Sequence, residues 1–203
     1  MIKSVVTVFK EFPVEPTPQI VVPPGNILQQ LGHLLDNGVG TDVTFKVDEQ
    51  TFSAHKCILA ARSPVFLAQF FGAMKEKSDT TIEIKEMEAP VFKALLDFIY
   101  NDTFSGFEEI KESNEKHNPK LLCQHLLAAA DRYGLERLKL ICEKMLCSSI
   151  HTNNVVTLFA LAERHSCNHL KATCLKFLSS PEILEGVAAT EQFQFLIGSC
   201  SLN

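Results

Sequence analysis

Five of the chain's nine prolines, Pro13, Pro16, Pro18, Pro23 and Pro24, fall within twelve residues. Each fixes φ and removes a backbone donor, so this stretch fits neither a helix interior nor a central strand and reads as a linker. It divides the chain into a short leader and a long remainder. The leader, residues 2–9, is rich in β-branched side chains and predicts one strand. No neighbouring segment offers that strand a partner, so it reads as the end of a larger sheet.

Past the linker, residues 26–36 carry Ile27, Leu28, Leu31, Leu34 and Leu35 at helical spacing, with Asn26 as a candidate N-cap and Gly38 and Gly40 as a stop. At Asp42 the period changes to two. Val43, Phe45 and Val47 alternate with Thr44 and Lys46, and residues 50–53 supply the return strand after a turn at Asp48 and Glu49. Residues 55–62 read as a helix, and a second starts at Ser63-Pro64, where serine can cap and proline needs no donor. Ile82 and Ile84 mark a third strand. Pro90 opens a helix with Val91, Leu95, Phe98 and Ile99 on its inner face.

Residues 107–120 are polar and of mixed charge, which predicts a solvated loop. Four helical patterns follow, over 119–133 with Gly134 as C′, 135–147, 152–165 and 167–178, then a weaker helical tail over 181–199. Their short connections predict helical hairpins. The expected architecture is therefore α+β: a small sheet with helices over 26–106, the loop 107–120, and a helical region over 121–203, with 1–25 as strand and linker.

Composition narrows the function. With 46% hydrophobic residues the chain is globular, yet its longest apolar run, residues 155–162 with one threonine, is far short of the ~20 residues of a membrane span. No signal-peptide pattern opens the sequence, so an intracellular protein is expected. A net charge of −5 with thinly spread basic residues leaves no footprint for nucleic acid or an anionic membrane. Seven cysteines, none in a CxxC pair, sit in apolar or helical surroundings and read as free thiols of a reducing compartment.

Specific strings carry a resemblance. Residues 40–45 (GTDVTF), 52–56 (FSAHK) and 59–66 (LAARSPVF), followed by Val91-Phe92-Lys93 and Phe98-Ile99-Tyr100 in the same order, resemble a BTB/POZ domain. Residues 126–140 (LLAAADRYGLERLKL), Cys142-Glu143 and Leu161-Ala162 are similar to the BACK helices that follow BTB in plant-type MATH-BTB proteins. Residues 20–24 and the leucine helix resemble the MATH-to-BTB linker, and residues 2–9 the last MATH strand, the rest of MATH being absent from the match.

The resemblance implies an adaptor or scaffold subunit of a cullin-3 RING E3 ubiquitin ligase, working on protein substrates such as transcription factors in the nucleus or cytoplasm. It places a dimer seam at Leu31, Leu34, Leu35 and Ile58, with homodimers or heterodimers with other BTB proteins. An amphipathic helix on a proline linker favours that reading independently, since burying each leucine is worth roughly 1.5–3 kcal/mol; packing back on its own chain is the alternative. The resemblance puts the hydrophobic-x-Glu element that meets cullin-3 at Met74 and Glu76, with Phe71 and Tyr100 either flanking that surface or serving the core. It makes Asp42 and Lys56 a structural charged pair and His55 a structural histidine.

Chemistry of its own is not expected. The sequence lacks GxSxG, HExxH and a glycine-rich phosphate cradle, and no cysteine has surroundings that mark a low-pKa thiol. His165, Cys167, His169 and Cys174 form the one zinc-like cluster, but residues two apart on a helix point to different faces, so neither metal nor cofactor is expected. Two rival readings stand beside the adaptor: a MATH-less partner that regulates full-length relatives by heterodimerising, and a BTB assembly module in transcriptional regulation.

Overall fold

A computed structural model of the chain describes residues 22–72, 80–103, 119–188 and 190. The expected strand at 2–9, the loop at 107–118 and most of the tail lie outside the described residues. Helix α1 (Ile27–Asn37) comes first, then a hairpin of β1 (Val43–Val47) and β2 (Gln50–Ala54). Helices α2 (Lys56–Arg62) and α3 (Pro64–Phe71) carry the chain over to β3 (Thr81–Ile84), which lies parallel to β1 in a sheet of order β2-β1-β3. Helix α4 (Ala89–Asn101) closes this half. Then come α5 (Pro119–Arg132), α6 (Glu136–Cys147), α7 (Val155–Arg164), α8 (Asn168–Leu178) and α9 (Pro181–Ala188), with α5 packed on α6 and α7 on α8 as the short connections predict.

Local chemistry explains the turns. The hairpin pairs Val47 with Gln50 around Asp48-Glu49, and Asp48 takes a positive φ of 51° that aspartate tolerates better than most residues. Its Oδ2 accepts from the Ala89 N–H at 2.9 Å, supplying α4 with the cap that Glu88 does not. Helix α1 stops at Gly38, which is left-handed as expected, but the Asn26 side chain makes no capping hydrogen bond; the residue contributes only its carbonyl, to Gln30.

The sheet and α4 share a phenylalanine core. Phe45 packs on Phe66 and Phe92 with ring centroids 5.7 and 5.0 Å apart, and Phe52 meets Phe92 edge-on. Helix α4 goes beyond the single inner face predicted for it. Phe92, Ala94, Leu96 and Tyr100 are buried together with Val91, Leu95, Phe98 and Ile99, because α1, α2 and α5 surround the helix. The helical region continues the same core through Leu126, Leu127, Leu138, Leu146, Leu158 and Leu170.

Candidate protein-interaction site

Two surfaces carry the residues that sequence reasoning singled out. On α1, buried Gly32 meets α4: any added Cβ would overlap the Asn101 side chain, so the missing side chain lets the helix sink onto α4. Leu31 and Leu35 are thereby half-buried against the chain's own core, as is Ile58 on α2. The outward apolar area of α1 lies at Leu34 and at Ile27 and Leu28, the last two not singled out for the seam above. Of the four residues expected at a dimer seam, Leu34 is the most open.

The second surface follows α3. Phe66 and Phe70 point into the core, while Val65, Leu67 and Phe71 face outward, Phe71 with 59% of its surface exposed. Beside them a groove runs between α3, β3 and α5, lined by Val65, Gln69, Ile82, Ile84, Arg132 and Tyr133. Met74 and Glu76 lie outside the described residues. Tyr100, grouped above with Phe71, sits elsewhere: it is 0% exposed and its hydroxyl is held by His55, so its place is the core and it offers no surface to a partner.

That tyrosine belongs to a closed network. His55 is buried, with Nε2 2.8 Å from the Val39 carbonyl, which can only accept, so Nε2 bears a proton. In the neutral ring Nδ1 is then an acceptor and takes the Tyr100 hydroxyl proton at 2.8 Å, while the hydroxyl oxygen accepts from the His55 backbone N–H at 2.9 Å. Burial, the largest cause, pushes the Tyr100 hydroxyl up to about 12, so it keeps the proton it donates. His55 thus ties the α1–β1 loop to α4, a structural role.

Asp42 and Lys56 are joined differently from the expected charged pair. The Asp42 carboxylate accepts from the Lys56 backbone N–H at 2.7 Å, at the first turn of α2, while the ammonium lies 5.9 Å from the Phe70 ring centroid. The carboxylate pairs with the helix end rather than with the lysine's charge.

The two halves meet where α3 begins. Ser63 Oγ accepts from the Phe66 N–H at 3.2 Å, the predicted cap, and also donates to the Tyr133 carbonyl at 2.6 Å. Asp102, left-handed at the end of α4, takes Arg62 on one oxygen and Arg137 on the other, the latter at 2.9 Å. Partial burial works to raise its carboxyl, but the hydrogen bonds and charges of the two arginines outweigh it and hold the group below its ordinary value.

Among the described residues no three metal-ligating side chains converge. His165 turns instead to Asp131 at 2.9 Å, which also takes Lys139 at 2.5 Å. Burial pushes the Cys167 and Cys174 thiols up to about 11, and a hydrogen bond with Cys123 together with burial raises Cys142, the opposite of an activated nucleophile. Glu143, 4% exposed, accepts from the Leu170 N–H at 2.9 Å and so caps α8 from within the core. Sequence reasoning missed this role, and those of Asp102 and Asp131, because their partners lie anywhere from 8 to 40 residues away with no fixed spacing to announce them.

Comparisons with known proteins match two families in succession along the chain. The BTB/POZ domain family matches residues 31–150, and the BPM/SPOP BACK domain family matches residues 154–202. The BTB match runs through α5 and α6. The chain is similar to BTB/POZ and MATH domain-containing protein 3 of Arabidopsis thaliana, 48% identical over 181 residues, covering 89% of this chain and 44% of the relative. It is also similar to BTB/POZ and MATH domain-containing protein 4 of the same plant, 41% identical over 185 residues, covering 89% of this chain and 39% of that relative. It thus spans under half the length of these curated relatives.

Proposed function

Because the chain belongs to the BTB/POZ domain family and continues into a BACK domain of the BPM/SPOP type, we propose that it is a non-catalytic adaptor or scaffold subunit of a cullin-3 RING E3 ubiquitin ligase. A BTB domain is a protein-interaction and dimerisation module, and MATH-BTB relatives place the chain in an adaptor family. Its mechanism is proximity: a substrate held near a charged conjugating enzyme gains effective concentration without any chemistry from the adaptor.

The observation that carries the reading is the outward apolar face of α3. Val65, Leu67 and Phe71 stand free on a helix that leads directly to Met74-Lys75-Glu76, with the groove against β3 and α5 beside them. Methionine adapts to a partner's pocket, and glutamate can accept from a partner's donors. The outward residues Ile27, Leu28 and Leu34 supply apolar area for a second subunit, whose presence doubles the valency of the assembly. Working in the nucleus or cytoplasm fits this role, and no helix among the described residues is long and apolar enough to cross a membrane.

Capture of purified cullin-3 on the immobilised chain tests the proposal. Changing Met74→Ala together with Glu76→Ala reduces capture at least tenfold if those residues form the contact. Equal capture by the variant overturns the assigned contact, and absence of capture by the unaltered chain overturns the ligase reading.

A further inference from the structure

We propose that the turn between α5 and α6 is the positioning element of α3, so that the outward face of α3 and the α5–α6 pair are held as one body. Three contacts, independent in kind, join residues 63–66 to residues 133–134. The Ser63 hydroxyl caps α3 through the Phe66 N–H and in the same geometry donates to the Tyr133 carbonyl, so the start of the helix and the turn share one atom. The Phe66 ring stacks on Tyr133 with centroids 4.6 Å apart. Gly134 completes the joint.

Gly134 has φ +66°, and the turn needs it there: the Leu135 N–H reaches back to Ala130 and the Gly134 N–H to Asp131, closing the end of α5. An added Cβ would stand 2.7 Å from Pro64 Cγ and 3.1 Å from its Cδ. A proline ring cannot rotate aside as a flexible chain end would, so α3 and the turn must move apart, and the left-handed φ adds a strain of its own that does not depend on Pro64. An eight-residue helix is about 12 Å long, so a tilt of roughly 10° at its first turn moves its far end by about 2 Å. That far end is Phe71, two residues short of the segment holding Met74 and Glu76.

Amide hydrogen exchange on the full chain reads the joint directly. Gly134→Ala should speed exchange of the α3 amides at least fivefold while leaving β1 unchanged. Adding Pro64→Ala, which removes the two ring atoms at a first-turn position that needs no donor, should restore at least half of that change. Tyr133→Leu, which removes the ring stacked on Phe66 while leaving the Ser63 cap of α3 in place, should act in the same direction and replaces Gly134→Ala if that variant does not fold. Unchanged α3 exchange in the variants, or failure of Pro64→Ala to restore it, overturns the proposal.

The functional consequence rests on the adaptor reading: cullin-3 affinity should fall at least fivefold in Gly134→Ala and recover in the double variant. Full affinity in Gly134→Ala with faster α3 exchange would overturn that consequence. Should the unaltered chain fail to bind cullin-3 while the exchange pattern holds, the adaptor reading fails and the joint stands.

Discussion

The Tyr100 hydroxyl lies 2.8 Å from Nδ1 of His55 and 2.9 Å from the same residue's backbone nitrogen, 45 positions away in the chain. One buried oxygen therefore satisfies both the start of α2 and the imidazole that holds the α1–β1 loop. Tyr100→Phe leaves a buried N–H and a ring nitrogen unpaired, a loss of about 1–3 kcal/mol. Chemical denaturation should report that fall without a change in helical content; stability equal to the parent's would contradict the network.

Much of this fold is readable in the residues themselves. The alternation at 43–47, the Ser63-Pro64 start of α3 and the glycine stops at 38 and 134 each express a local rule, and local rules survive in the structure. The features that escaped are those decided by distant partners. Helix α4 is buried nearly all round because helices cover it on several sides, which no periodicity in its own thirteen residues reveals. Asp42 and Lys56 looked like opposite charges to be paired, yet the backbone N–H at a helix start competed for the carboxylate and won. One miss is local: helix α7 starts at Val155 rather than 152, since Asn154 turns its side chain back to the His151 N–H and the Ser149 carbonyl.

Asp102 and Asp131 give the stability of the chain an acid limb. Both carboxyls are held below their ordinary value against the opposing effect of burial, so their contribution is complete above the unfolded carboxylate value near 4 and is lost as pH falls through the lower folded value. Asp102→Asn should cost ~1 kcal/mol or less at pH 7, because the ion pairs are solvent-screened. The difference from the parent should shrink below pH 4 in thermal melts, and a difference that grows there would contradict the assignment.

Gly32 is the contact through which α1 docks. Gly32→Ala drives a methyl into the Asn101 amide, a flexible chain end that has to turn aside, and with alanine's better helix propensity set against this the net cost is about 1 kcal/mol or less. The expected result is faster amide exchange across α1, with the sheet unaffected. Protection of α1 as strong as in the parent would show that the helix is held by something other than this close approach.

Glu143 stands inside the helical region as a cap for α8. Glu143→Gln keeps an oxygen for the Leu170 N–H and should be tolerated, whereas Glu143→Leu strands that donor and should cost about 1–3 kcal/mol. Thermal melts that rank the two variants in the opposite order would remove the capping role.

In the proposed adaptor role a dimer of this chain engages cullin-3 through the residues that follow α3. The most direct measurement is the mass of the purified chain with cullin-3 by light scattering, with and without Met74→Ala and Glu76→Ala. The expected result is a two-to-two assembly that falls back to the dimer alone when both residues are changed. A dimer whose mass is unaffected by cullin-3 would contradict it.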